Sequence, residues 1–383
     1  MTIPPVEPVF SPSSTSGALS TERRDVRKFV QAIQNPKEGG FILSAHRGCR
    51  WDGIPENSRS SIKNAVDKGM ICVEIDIRLT SDNVPVLFHD PTLGRCTDIA
   101  EFKGRDDPYS PFTGKGYSPL ISETPWKGVI ENLRLKEEHG EICKEGVLDF
   151  KAVFDYIEEE GLDIVLFMDI KCKEAIPIMY DILKDRKNAA GVSALEWCVW
   201  KVFVHMYGHP DELANEPWWQ EANKIGNPLY IPVYEPWPTR QLSDPLSSIK
   251  AFSHHSNVIA LEIGLRAPGG FGQELLDYAT SPECPIQSLG FFAALGDLWQ
   301  WDHKEIKFDT GDYAIPWRLE GQFSHSLFKI DHPPQTHDAI LLEGDSPDGH
   351  DYRADLALYK KLGFTWTITD RGDELRDKGL VTQ

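Results

Sequence analysis

Two neighbouring carboxylates on one face of a strand are the first sign of chemistry in this sequence. The segment ICVEIDIRL at residues 71–79 alternates apolar and polar side chains, so that Glu74 and Asp76 lie side by side on one strand face. Adjacent carboxylates repel each other unless a cation or a proton lies between them. The pattern therefore predicts a metal site. The alternative is a half-exposed strand with a charged outer face.

A third carboxylate follows a later apolar run. In GLDIVLFMDIKCKEA, Asp169 and Lys171 fall on one face at the end of a predicted strand. Carboxylates with few sulfur or nitrogen donors nearby suit a hard cation better than zinc. We therefore expect Glu74, Asp76 and Asp169 to bind one divalent cation. The sequence does not distinguish Mg²⁺ from Ca²⁺.

The elements that would position these residues alternate between strands and helices. A short apolar run ends at His46, the segment 56–58 is a good helix cap, and the strand at 71–79 follows. Strand, helix and strand in this order form the unit of a parallel α/β sheet. Along the whole chain, we count eight candidate strands, which begin near residues 41, 72, 85, 163, 197, 229, 258 and 364.

The order of the motifs resembles the glycerophosphodiester phosphodiesterase family. HRG at 46–48, PEN at 55–57, the E-x-D strand at 74–76, HD at 89–90 and the acid-x-Lys strand at 169–171 follow one another. The segment LGFTWTITDRGDEL near the end of the chain looks like the family's last strand. The resemblance implies an α/β fold, a (β/α)8 TIM barrel with its active site at the carboxyl ends of the strands.

The remaining motif residues can be assigned roles in the cleavage of a phosphodiester. A phosphodiester repels nucleophiles, so cleavage needs charge neutralisation, a base on one side of phosphorus and an acid on the other. Histidine side chains ordinarily titrate near neutrality, so His46 and His89 would serve as the base and acid pair. Arg47 and Lys171 would supply fixed positive charge. Glu56 matches the PEN motif, and it could either contact substrate or anchor its loop.

The resemblance also implies a substrate and a mechanism. We expect hydrolysis of glycerophosphodiesters to glycerol 3-phosphate and an alcohol, through a cyclic phosphate formed by the substrate's neighbouring hydroxyl. The family usually has Glu at the position of Asp169. The D-x-K pattern at 169–171 is instead similar to the sphingomyelinase D and phospholipase D toxin branch. A lysophospholipid is therefore an alternative substrate. Another reaction on a phosphorylated or hydrophobic molecule is a further alternative, whereas His46 and His89 argue against a pseudoenzyme.

The sequence also predicts how the chain is divided into a tail, one domain and two insertions. Residues 1–20 are rich in Pro and Ser and lack the apolar region of a signal peptide, so we expect a disordered tail. Residues 21–383 would form a single barrel domain. We expect a small insertion after the third strand, at about 91–146, and a longer aromatic-rich insertion before the last strand, at about 266–334. The second could be a lid or packing outside the barrel.

Composition excludes several classes of partner. The chain has 383 residues and a formal net charge of −19, which argues against unspecific binding to nucleic acid or to anionic membrane. We find no run of about 18 apolar residues that could span a bilayer. Seven cysteines without CxxC spacing suggest reduced thiols and a cytoplasmic location. The expected ligand is a small-molecule or lysolipid phosphodiester.

Overall fold

The structure is a computed structural model that describes residues 25–37, 40–50, 53–110, 115–137, 140–293, 344–348, 351–353, 355–370 and 372. The tail at 1–20 and residues 294–334 of the second insertion therefore lie outside the described residues. The strands are β1 (Ile42–His46), β2 (Cys72–Leu79), β3 (Pro85–Leu87), β4 (Arg134–Lys136), β5 (Ile142–Gly146), β6 (Val165–Ile170), β7 (Cys198–Phe203), β8 (Leu229–Tyr234), β9 (Leu261–Ile263), β10 (Leu289–Ala293) and β11 (Trp366–Thr369).

Eight of these strands form a closed parallel barrel. Around the barrel the order is β1, β2, β6, β7, β8, β9, β10 and β11, and β11 pairs with β1 to close it. The expected (β/α)8 barrel is thereby confirmed. Each barrel strand is short and mainly apolar, as expected for strands that are covered by helices on one side and packed inside the barrel on the other.

The helices lie between the strands along the chain and bury one apolar face each. Their bounds are α1 (Val26–Gln34), α2 (Arg59–Asp67), α3 (Ile99–Phe102), α4 (Phe150–Glu159), α5 (Ala175–Leu183), α6 (Pro210–Ala214), α7 (Pro217–Ile225), α8 (Pro236–Thr239), α9 (Pro245–Ser253), α10 (Gln273–Ala279) and α11 (Leu356–Lys361). In α4 the spacing of Phe150, Val153, Phe154 and Ile157 gives a buried stripe, and Asp149 caps the helix by accepting from the Ala152 N–H.

Two of the strand assignments made from sequence need correction. The run near residue 85 is β3, which pairs antiparallel with the end of β2 and is not part of the closed barrel. The missing barrel strand is β10, which lies within the segment assigned to the second insertion. Its short sequence contains Gly290, where any side chain would collide with the ring of Trp366. The sequence pattern missed β10 because this strand does not alternate clearly between apolar and polar residues. Its glycine is required by the close contact with Trp366 on the neighbouring strand.

The first insertion has a small core of its own. It follows β3, and therefore the second barrel strand, and it contains the antiparallel pair β4 and β5. Its apolar residues pack with Val86 of β3 and with Phe88 in a cluster separate from the barrel core, and they include Leu93, Ile99, Ile121, Ile130, Leu133 and Leu135. This packing holds the chain that follows His89 against the barrel.

Two further findings concern membrane spans and disulfides. Within the described ranges, none of the helices is long and apolar enough for a membrane span. All seven cysteines lie in the described part of the chain, and none of them forms a disulfide.

Candidate active site

The residues singled out from sequence converge at one end of the barrel. His46 is the last residue of β1 and pairs in register with Glu74, while Asp76 pairs in register with Asp169 on β6. These strands therefore bring the first histidine and all three carboxylates to the same end of the barrel. One pocket is lined by six of the predicted site residues, namely His46, Arg47, Glu74, His89, Asp169 and Lys171. Asp76 and Glu56 lie next to them.

The three predicted metal ligands form a compact buried cluster. Each of Glu74, Asp76 and Asp169 offers one carboxylate oxygen, and these oxygens lie within 4.8 Å of one another. The exposed fractions of the three residues are 1%, 0% and 8%, so β2 is not a half-exposed strand with a charged outer face. The cluster can hold a metal ion, which agrees with the expectation from sequence.

The surroundings of the cluster fit a hard divalent cation. Lys171 Nζ lies 2.9 Å from Asp76 Oδ1 and 3.2 Å from Asp169 Oδ1, but neither oxygen accepts a hydrogen bond within the described residues. Asn57 donates from Nδ2 to Asp76 Oδ2 at 2.9 Å and so orients that carboxylate. A donor set made of carboxylate oxygens, with unsatisfied buried oxygens at its centre, suits Mg²⁺ or Ca²⁺.

Negative charge is unequally distributed within this cluster. Burial, together with the charges of Asp76 and Asp169, raises the pKa of Glu74 well above its ordinary value. Burial also disfavours the Asp76 carboxylate, but the charge of Lys171, helped by His89 and Arg47, outweighs it and lowers the pKa of Asp76. In the metal-free protein, Glu74 is therefore the carboxylate that binds a proton.

This distribution predicts that metal binding releases a proton. Below the raised pKa of Glu74, the ion must displace the proton, so we expect the apparent affinity to fall by about tenfold per pH unit as the pH decreases. Above that pKa the affinity should no longer depend on pH. Calorimetric titration of Mg²⁺ in two buffers with different ionisation enthalpies measures the protons released. Proton-neutral binding at every pH would contradict the prediction, and Glu74→Gln should release no proton.

Each candidate catalytic histidine is oriented by an aspartate. His46 Nδ1 lies 2.8 Å from Asp370 Oδ1, and His89 Nδ1 lies 2.9 Å from Asp90 Oδ1. Burial alone would raise the pKa of Asp90. The charge of Arg95 outweighs burial and lowers this pKa, so Asp90 is a carboxylate that accepts a hydrogen bond from the imidazole. The two imidazole rings lie 6.5 Å apart between centroids and are nearly perpendicular. Both rings line the same pocket.

Glu56 holds three arginines together. Its carboxylate accepts from Arg47 Nη1 at 3.0 Å, from Arg50 Nη1 at 2.8 Å and from Arg95 Nη2 at 2.7 Å. Although burial alone would raise the pKa of Glu56, the three guanidinium groups lower it well below its ordinary value. Glu56 is 7% exposed and both of its oxygens bind arginines, so the geometry favours the anchoring role over substrate contact.

Two of these arginines extend the network to the histidines. Arg50 Nε donates to Asp370 at 3.2 Å, and Arg95 Nε donates to Asp90 at 2.6 Å. Each histidine is thus backed by an aspartate, and each aspartate is tied through an arginine to the same glutamate. Buried charged networks are stable only when all members are paired, and here the pairing also fixes both imidazole rings.

The backbone around the HRG motif is shaped for these contacts. Arg47 has φ 57° and Gly48 has φ 86°, both in the left-handed region. A side chain at position 48 would collide with Ser61 of α2, so only glycine fits there. Ser61 Oγ donates to the Arg47 carbonyl at 3.0 Å. The tight turn directs the Arg47 N–H to Glu74 Oε2 at 3.0 Å.

A family model matches the part of the chain that contains all eight predicted site residues. Residues 46–214 match the glycerophosphoryl diester phosphodiesterase family. The resemblance to the glycerophosphodiester phosphodiesterase family is confirmed. Asp370 lies beyond the matched segment, although it contacts His46.

Among curated proteins, the similarity to this family is local. Glycerophosphodiester phosphodiesterase 1 of Rattus norvegicus is 52% identical over 54 residues, which is 14% of this chain and 16% of the relative. An uncharacterized protein of Sinorhizobium fredii, y4eD, is 28% identical over 149 residues, 36% of this chain and 34% of the relative. The matches thus span about a third or less of these relatives' length.

A solved structure supports the fold over nearly the whole chain. The crystal structure of a glycerophosphoryl diester phosphodiesterase from Parabacteroides distasonis covers 94% of this chain and 94% of its own, with a TM-score of 0.53. The two sequences are 16% identical, so this similarity concerns the fold.

Several residues at the candidate active site were not singled out from sequence. Asp90 and Asp370 end the HD and TD motifs, and this position at the end of an apolar run was the available signal. Arg50 and Arg95 lie in polar loops, where no spacing rule distinguishes a buried arginine from an exposed one. Lys201 of β7 was also missed. A lysine within the apolar run WCVWKVFVH is unusual enough to have indicated a buried ion pair.

The aspartates provide a test of ring orientation. Asp90→Asn and Asp370→Asn keep the side-chain shape but replace a carboxylate oxygen by an amide, which no longer stabilises the charged imidazole. We expect kcat to fall at least about tenfold for each variant, with little change in KM or in metal affinity. Asp185→Asn, an exposed aspartate after α5, is the matched control. Unchanged kcat in both variants would contradict an orienting role.

Proposed function

We propose that this protein is a metal-dependent phosphoric diester hydrolase that converts glycerophosphodiesters into glycerol 3-phosphate and an alcohol. The observation that carries the proposal is the placement of two aspartate-backed histidines in the same pocket as a buried carboxylate cluster. The family match over residues 46–214 supports the same substrate class.

Proton transfer is the part assigned to the histidines. With Nδ1 of His46 directed at Asp370 and Nδ1 of His89 directed at Asp90, each ring would exchange protons through Nε2. One imidazole takes the proton of the neighbouring hydroxyl of the glycerol, which attacks phosphorus and expels the alcohol. The other imidazole gives a proton to that alcohol. Water then opens the cyclic phosphate as the roles of the two imidazoles are exchanged.

Charge neutralisation is the part assigned to the remaining site residues. Glu74, Asp76 and Asp169 would hold one Mg²⁺ or Ca²⁺, which when bound polarises the phosphoryl oxygens. Burial opposes the charge on Lys171, but the neighbouring Asp169 and Asp76 raise its pKa above the ordinary value, so the ammonium stays charged. Arg47 adds a second fixed cation. Both lie at the pocket and would bind the phosphoryl group.

A lysophospholipid is the second candidate substrate. Phe203 and Phe292 line the pocket, and the Phe292 ring lies 4.7 Å from the His46 ring between centroids. This apolar surface favours a substrate with a hydrophobic part. Such a substrate would be expected to yield a cyclic phosphate, as in the toxin branch that shares the acid-x-Lys pattern with Asp169.

Phosphorus NMR distinguishes the candidates. We expect the protein with Mg²⁺ or Ca²⁺ to convert glycerophosphocholine to glycerol 3-phosphate, and we expect EDTA to abolish the reaction because the carboxylates alone repel the substrate. A cyclic phosphate from lysophosphatidylcholine alone would support the second candidate. Cleavage of neither compound, or cleavage that resists EDTA, would contradict the proposal.

A further inference from the structure

The wall of the pocket opposite the first histidine is built from charged residues that the proposed reaction does not use. It consists of Lys201 on β7, Glu235 directly after β8 and Glu262 on β9, and it is flanked by Phe203 and Phe292. We call these three charged residues, together with Arg266, the polar wall. Three consecutive barrel strands and the residues that follow them supply it, beside the metal cluster.

A buried ion pair forms the part of the polar wall nearest the metal cluster. Lys201 Nζ lies 3.0 Å from Glu262 Oε2 and 3.5 Å from Asp169 Oδ2. Lys201 is 0% exposed and Glu262 is 3% exposed. Within the described residues, Glu262 Oε2 accepts no hydrogen bond, although Lys201 Nζ lies close to it. A buried carboxylate oxygen at a pocket surface without a hydrogen bond is available to a ligand donor.

The second ion pair of the polar wall is held by a glycine. Glu235 Oε2 accepts from Arg266 Nη2 at 3.0 Å, and both residues are buried. Any side chain at position 264 would collide with the Glu235 carboxylate. Gly264 therefore leaves the space in which the carboxylate lies against the backbone. This close fit fixes the position of Glu235 at the pocket.

Each cation of the polar wall is paired with a carboxyl group. Lys201 lies against Glu262 and Arg266 lies against Glu235, and burial raises the pKa of Glu262 to about 7, so the wall has no excess of negative charge. A cationic group would need uncompensated negative charge, and an alkyl chain would leave these groups buried without water. A neutral hydroxyl both donates and accepts, so it can bind a carboxylate and an ammonium at once.

We propose that the polar wall binds hydroxyl groups of the polyol part of the substrate. This inference rests on the proposed function, because the phosphoryl group must lie at the metal cluster for its substituent to reach Lys201, Glu235 and Glu262. The hydroxyls could belong to the glycerol or to a polyol leaving group, since the chemistry is the same. A site built for a hydroxyl rejects the analogue that lacks it.

Two pairs of substrates test the inference. The first pair is glycerophosphocholine and propane-1,2-diol 1-phosphocholine, which keeps the neighbouring hydroxyl but lacks the terminal one. The second pair is glycerophosphoglycerol and glycerophosphopropanol, which differ in the leaving alcohol. We expect kcat/KM to favour the hydroxylated member of at least one pair by about 10- to 100-fold, the range for a hydrogen bond to a charged group. The affected pair identifies the source of the hydroxyls.

Variants connect this preference to the polar wall. We expect Glu262→Gln, and separately Glu235→Gln, to reduce the preference to about threefold or less, because an amide oxygen accepts a weaker hydrogen bond than a carboxylate. Glu274→Gln, at an exposed position of α10, should keep the wild-type preference. The preference is a ratio of two substrates, so a general loss of activity in a poorly folded variant does not imitate the result.

Product binding separates the failure of this inference from the failure of the proposed function. Calorimetry compares the binding of glycerol 3-phosphate and propane-1,2-diol 1-phosphate to the wild-type protein and to Glu262→Gln, without any turnover. A preference for glycerol 3-phosphate that Glu262→Gln removes would support the polar wall even if neither substrate pair is cleaved. Equal kcat/KM within both pairs and equal binding of both phosphates would overturn it, as would variants that keep the full preference.

Discussion

His46→Ala and His89→Ala are each expected to lower kcat by at least about a hundredfold, the lower end of what one proton-transferring group contributes. The fold should survive both changes. Asp370 stays paired with Arg50 and Asp90 stays paired with Arg95, so neither buried carboxylate loses its only counter-charge. A single-turnover assay, together with circular dichroism of the same samples, measures both parts of the prediction.

Two controls make the histidine result specific. His254→Ala removes an exposed imidazole at the end of α9 and should leave kcat unchanged. Added imidazole should partly restore turnover to the alanine variants, because the missing ring leaves a cavity beside the aspartate. If either variant has full activity, the assignment of that histidine is wrong.

Much of the site was predictable because its residues occupy strand ends in recognisable motifs. The alternation in β2 placed Glu74 and Asp76 on one face, and the register with β6 brings Asp169 to them. In a parallel barrel, strand ends meet whatever their distance in sequence, so carboxylates from two separate runs could be assigned to one cation. The same reasoning predicted His46 at the end of β1, whereas His89 was predicted from the HD motif and follows β3, which is not a barrel strand.

Contacts that depend on the closure of the barrel were not predictable in this way. Asp370 contacts His46 across 324 positions, and only the pairing of β11 with β1 brings the two together. Local pattern gives no information about which loop arginine will lie beside such an aspartate. Glu56 illustrates the point, because the PEN motif indicated its importance but not its binding to three arginines.

The strand count failed where local pattern and tertiary structure disagree. β3 has the composition of a buried strand, yet it folds back on β2 through a turn at residues 80–84, in which Asn83 has φ 61°. β10 is a barrel strand, yet its glycine weakens the strand signal. Both errors arise because burial in a sheet looks the same in sequence whether the strand is parallel, antiparallel or inside the barrel.

Substitutions at the metal cluster should separate metal binding from folding. Glu74→Gln resembles the protonated form that burial favours in the metal-free protein, and it keeps an oxygen for the Arg47 N–H. We therefore expect Glu74→Gln to fold with unchanged metal-free stability. Its affinity for Mg²⁺ should fall by more than about a hundredfold. Loss of a group that only hydrogen-bonds to a metal ligand already lowers metal affinity by about 10- to 100-fold, and Glu74 would be a ligand itself. Turnover should fall with it.

Asp76→Ala should lose metal and stability together. Asp76 lies 2.9 Å from Lys171 Nζ and 3.4 Å from Arg47 Nε, so its removal leaves buried cations with less compensation. Breaking a buried ion pair costs about 3–5 kcal/mol, and we expect the free energy of unfolding to fall by that order in EDTA. Urea unfolding with EDTA and with Mg²⁺ measures both contributions. Mg²⁺ should raise the free energy of unfolding of the wild-type protein, but not that of Glu74→Gln or Asp76→Ala. If Glu74→Gln is stabilised by Mg²⁺ as strongly as wild type, these carboxylates are not the ligands.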